Sequence, residues 1–159
     1  MSSPGGHRAV QDGYPESLAH CYGCGRNNRD GLHVRTFAEG DHLWVARFTP
    51  RPEHIALPGF VYGGLLASLI DCHAIATAAA GWTQAFPGRV PAGETPRFVT
   101  GSLKVDFLKP TPLGPELRLD AVPREPGERK VWVDVAVWVE DKETVRGEVL
   151  AVRVPDAMS

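Results

Sequence analysis

Residues 65–80 read LLASLIDCHAIATAAA, and this stretch decides the fold. It is built of good helix formers, with no Gly or Pro over about four turns. A surface helix carries a broad polar face. This one is apolar nearly all round, interrupted by Asp71 and His73, so it needs cover on most sides. It reads as too short and too Ala-rich to span a bilayer.

The cover comes from downstream. A Gly- and Pro-rich stretch from Gly81 to Pro96 reads as a long loop, of the kind that forms lids or pocket walls. Beyond it every segment alternates. Phe98–Leu108 sets Leu103, Val105 and Phe107 against Ser102, Lys104 and Asp106. Glu116–Val122 alternates Leu117, Leu119 and Ala121, and Lys130–Val139 places five valines, from Val131 to Val139, on one face. Thr144–Val154 completes the set. Upstream, Leu32–Phe37 and His42–Phe48 read as two short strands around an Ala-Glu-Gly-Asp hairpin loop. Pro50, Pro52 and Pro58 then leave no further element before Gly59.

Two short strands, one buried helix and four long strands predict an α+β fold, with a curved antiparallel sheet wrapped around one long helix. A single helix cannot fill both sides of so large a sheet. The leftover apolar area predicts a homo-oligomer, a dimer or dimer of dimers. At 159 residues the chain fits one domain, expected over 18–155 behind a flexible arm at 1–17. A net charge of -2 gives no reason to expect nucleic acid or a membrane as partner. Cys21, Cys24 and Cys72 form no even set, and the N-terminus has no apolar leader, so the chain reads as cytoplasmic.

Two features carry chemistry. Asp71 is a carboxylate in a buried helix with no Lys or Arg three or four residues away. Such burial is unfavourable by several kcal/mol in rough terms unless the group is paired, protonated or part of a site. A basic partner from a strand, or a wet edge, would explain it equally well. The second feature is PGFVYGG, residues 58–64, at the helix entry. Its glycines permit a sharp turn and free N–H groups at the positive helix end, as an oxyanion hole requires. A plain entry turn fits the same residues.

Taken together, P-G-F-V-Y-G-G-L-L-A-S-L-I-D over 58–71 resembles the signature of the hotdog-fold acyl-CoA thioesterases, in their phenylacetate-pathway (PaaI-like) group. L-K-V-D-F-L-K-P-T-P-L-G over 103–114 is similar to the family's third strand and following turn. C-x-x-C-G-x-N-x-x-G-L, starting at Cys21, resembles the opening of some members. The resemblance spans roughly residues 20–154 and implies a hotdog fold that hydrolyses an acyl-CoA thioester at a subunit interface. It implies Asp71 as nucleophile or general base, the Gly63 N–H as oxyanion donor, and Thr100 as an assisting hydroxyl. Strict alternation sets Thr100 on the polar face with Ser102 and Lys104, opposite Leu103, although Gly101 could allow a local bulge. Tyr62, Gly64 and Ser68 are expected to contact substrate. The carboxylate and the oxyanion donor come from different subunits in the family, and no cofactor is implied, coenzyme A being part of the substrate.

The chain departs from the signature at Tyr62, which stands where the family has His. A phenol is no base near neutral pH but can donate a hydrogen bond and line a pocket. A non-catalytic acyl-CoA-binding protein is therefore the first alternative, and a hotdog hydratase or dehydratase the second. His73 points about 200° from Asp71 around the helix. It reads as a core histidine, which weighs against the hydratase. Cys21 and Cys24, near His20 and His33, lack a second ligand pair, so no metal site is expected. Cys72 shows no activator that would make it a nucleophile. Arg89, Arg97, Lys104 and Lys109 are candidate phosphate contacts, or solvated surface charge.

Overall fold

The computed structural model describes residues 8–155. Helix α1 spans Gly63–Ala85, and the strands are β1 (Phe37–Ala38), β2 (Trp44–Phe48), β3 (Phe98–Phe107), β4 (Leu117–Pro123), β5 (Lys130–Val139) and β6 (Lys142–Arg153). They form one six-stranded sheet in the order β1-β2-β4-β5-β6-β3. Every neighbouring pair is antiparallel. The sheet curves around α1, which packs against β2 through β6. This is the hotdog architecture expected from the sequence.

Side-chain period explains the core. Val131, Val133, Val135 and Val137 alternate inward from β5 and meet Val145 and Val149 of β6, with Leu117, Leu119 and Ala121 of β4. From the other side come Leu66, Leu69, Ile70, Ala74 and Ala78 of α1. Each fully buried Leu, Ile or Val contributes about 1.5–3 kcal/mol.

Three expectations are corrected. The helix does not stop before Gly81 but runs to Ala85. Trp82 anchors the extra turn: fully buried, it packs near Phe98 at 6.4 Å between ring centroids and beneath the Arg153 guanidinium at 4.3 Å. With 23 residues, α1 is long and apolar enough to cross a membrane, contrary to the sequence reading. Yet 67% of its apolar window is buried inside the domain, as a core helix requires.

Second, only Phe37 of the expected strand 32–37 pairs in the sheet, as the first residue of β1. The preceding amides are engaged elsewhere: Leu32 N–H bonds the Tyr22 carbonyl, Val34 N–H that of Gly23, and Thr36 N–H the Gln11 side chain. Third, the arm is not loose from residue 9 onward. Val10–Gly13 forms a 3-10 turn, and Ala9, Gln11 and Tyr14 are buried. Residues 1–7 of the expected arm lie outside the described residues.

Candidate active site

Asp71 lies midway along α1 and meets β3. Thr100 donates its hydroxyl hydrogen bond to Asp71 Oδ1. Strict alternation along β3 would forbid this, and the strand breaks alternation where it must. Thr100 pairs with Ala151, and the next paired residue is Ser102 with Leu150, so Gly101 is bulged. The extra residue brings Thr100 onto the same face as Leu103 and Val105, opposite Ala151, Val149 and Gly147 of β6.

The electrostatics of Asp71 follow from its place. Partial burial pushes its carboxyl above the ordinary Asp value, and the Thr100 hydrogen bond pulls it back. The Cys21 sulfur adds a smaller upward push, and Arg97 a smaller opposing pull. A hydrogen bond to a charged acceptor is worth about 1.5–3 kcal/mol, so Thr100 offsets part of the desolvation cost. The outcome is an oriented carboxylate that is more basic than an exposed one.

The other candidate residues gather at the N-terminal end of α1. Tyr62 precedes the helix in an extended conformation, and Gly63 is its first residue. The first N–H groups of a helix have no intrahelical acceptor and carry the positive end of its dipole. Gly63 lines an apolar cleft of ≈ 450 Å³ with Leu57, Phe60, Leu66, Phe107 and Lys109. Tyr62 is 58% exposed, and its ring lies against Gly64, where a Cβ would come within 2.4 Å of a ring carbon. Ser68 turns its hydroxyl back onto the Gly64 carbonyl at 2.9 Å. Of the four basic candidates, only Lys109 lines this cleft. Arg89 and Arg97 line a second one with Arg153, and Lys104 faces Asp106 at 3.8 Å.

Gly63 and Asp71 lie eight residues apart on one helix, or about 12 Å at the usual rise.

His73 faces away from both. Fully buried, it bonds Thr36 Oγ1 at 2.8 Å and the Trp44 carbonyl at 3.2 Å, and burial lowers its pKa to about 4. It is the core histidine that helical geometry predicts. What sequence reasoning missed is the company of Cys72. Cys21 and Cys24 come from the N-terminal loop and Cys72 from α1, yet their sulfurs all lie within 4.8 Å of one another. No local spacing could have joined residues so distant in the chain.

One long helix packed against a six-stranded antiparallel sheet agrees with what comparison finds. Residues 58–146 match the Thioesterase superfamily. The chain belongs to this superfamily. Among solved structures, a thioesterase superfamily protein from Shewanella loihica PV-4 is 38% identical, with a TM-score of 0.66, covering 87% of this chain and 97% of that one. Escherichia coli PaaI, from the phenylacetic acid degradation operon, shares the fold at 19% identity and a TM-score of 0.62, covering 78% and 81% of the two chains. A Streptococcus mutans UA159 protein bound to acetyl CoA does so at 16% identity and 0.63, covering 81% and 94%. No curated protein sequence matches.

Proposed function

We propose that this thioesterase-superfamily chain hydrolyses an acyl-CoA thioester at sites shared between two copies of itself. The observation that carries the proposal is the Thr100–Asp71 hydrogen bond, which holds a half-buried carboxylate of raised basicity on the central helix. Asp71 takes a proton from water as the water oxygen attacks the thioester carbonyl carbon. The Gly63 N–H of the other copy holds the oxyanion that develops. The carbon–sulfur bond then breaks, the proton passes to the departing sulfur, and free acid and coenzyme A leave.

Pairing of two copies is supported by the sheet itself. Strand β3 ends it, so one side of β3 has no neighbour strand, and Val99, Leu103 and Phe107 on it are exposed. The apolar cleft beside Gly63, with Lys109 in its wall, suits an acyl or pantetheine chain next to an anionic group. The three cysteines carry free thiols, which suits a cytoplasmic enzyme.

One observation favours a second reading, non-catalytic binding of acyl-CoA: Tyr62 occupies the family's His position and rests on Gly64. Turnover separates the two. Short, medium, long and aromatic acyl-CoA thioesters are assayed with the wild-type chain and with Asp71→Asn, with circular dichroism and sedimentation to confirm fold and assembly. Hydrolysis that falls by about two to three orders of magnitude in the variant supports the enzyme. Tight acyl-CoA binding without turnover by the wild type supports the binding protein instead.

A further inference from the structure

Three thiols separated in sequence meet beside α1, and the loop between the first two is shaped around a sulfur. The Gly25 N–H bonds the Cys21 carbonyl at 2.7 Å, closing C-Y-G-C-G into a tight turn. The amide N–H groups of Cys24 and Gly23 face the Cys21 sulfur. Gly23 also has to be bare: a Cβ there would come within 2.2 Å of Cys72 Sγ. Its lack of a side chain lets the helix thiol enter the loop.

The spacing of the sulfurs suits a shared ion. Zinc binds thiolates at about 2.3 Å, which sets the edges of a tetrahedron of sulfurs at about 3.8 Å. Cys21 and Cys72 are 3.8 Å apart, and Cys24 completes a triangle in which no two sulfurs are separated by more than 4.8 Å. The charge balances too. Three thiolates around a divalent ion leave one negative charge, and the Arg97 guanidinium acts on both Cys24 and Cys21. Amides directed at a ligating sulfur are the usual outer support of such a centre.

We propose that Cys21, Cys24 and Cys72 form a binding site for one thiophilic divalent metal ion, zinc by ligand class, with water in the fourth position. On binding, each protonated thiol loses its proton to solvent and the sulfur donates its lone pair to the metal, with no change of oxidation state. The ion fastens the N-terminal loop to α1 one residue beyond Asp71. The site does not depend on thioester hydrolysis. It reverses the expectation of no metal, which rested on Cys21 and Cys24 lacking a second ligand pair.

The test uses the full chain, reduced, loaded with zinc and passed through gel filtration without chelator. Elemental analysis is expected to find one zinc per chain, and Cys72→Ser is expected to lose it. Loading with cobalt keeps the test independent of how well the variant folds. The wild-type protein is then expected to show sulfur-to-cobalt charge-transfer absorption and a tetrahedral visible band. Zinc well below one per chain together with no such absorption would overturn the proposal. So would a Cys21–Cys72 disulfide that forms in preference to the metal complex when zinc and mild oxidant are both present, which would assign the cluster to redox chemistry.

Discussion

Thr100 reaches Asp71 only because Gly101 is bulged out of the ladder between β3 and β6. An extra residue in an edge strand thus orients the carboxylate on which the proposed chemistry depends, and tempers the basicity that burial gives it.

If Thr100 acts by positioning and stabilising that carboxylate, Thr100→Val should lower kcat about 10–100-fold, the worth of one hydrogen bond to a charged group. Thr100→Ser should keep most of the rate, since it keeps the hydroxyl. A merely structural role would leave the pH profile in place. Here the acid limb should move upward in Thr100→Val, because the hydrogen bond that pulls the Asp71 carboxyl down is gone. Equal profiles in both variants would contradict the assignment.

The wild-type profile carries its own prediction. Burial raises the Asp71 carboxyl above its ordinary value, and the active form is the carboxylate. The rate constant kcat/KM should therefore rise with pH through a single limb that lies above the range of an exposed Asp. Residual turnover in Asp71→Asn should show no such limb. Steady-state kinetics across the acid range, on one well-behaved thioester, read both.

The sequence made some of this legible and hid the rest for physical reasons. Five alternating valines fixed β5 to the residue, because a half-buried strand shows its period directly. Asp71 stood out because an unpaired carboxylate in an apolar helix is costly wherever the helix packs. Thr100 carried the opposite signal: its phase depends on a bulge that alternation cannot show, and only the family resemblance pointed to it. The span 32–36 looked like a strand, yet its amides bond the cysteine loop and the N-terminal segment. Such long-range partners leave no trace in local pattern. The same holds for Cys72, whose meeting with Cys21 and Cys24 is a product of tertiary packing.

His73 gives the fold a pH dependence separate from the chemistry. It is buried and neutral, with a pKa lowered from 6.5 to about 4. Below pH 6.5 the unfolded chain takes up a proton that the folded chain refuses, so stability falls as pH falls. The contribution is fully present above about 6.5 and declines down to about 4. Urea midpoints measured across that window should drop towards acid, and His73→Gln should flatten part of the slope. A wild-type slope matched by the variant would show that His73 is not its source.

The central claim is that Asp71 of one copy works with Gly63 of the other, and subunit complementation tests it most directly. Gly63 opens α1, and Tyr62 before it has φ -60 and ψ 128, a conformation compatible with a following proline. Gly63→Pro therefore removes the N–H donor at a helix position that tolerates proline. Alone, Gly63→Pro and Asp71→Asn should each be nearly inactive. Co-refolded in equal amounts, half the dimers pair one of each, and every such dimer contains one whole site. The mixture should recover about a quarter of wild-type activity. No recovery, with mixed dimers shown to form, would contradict the shared site.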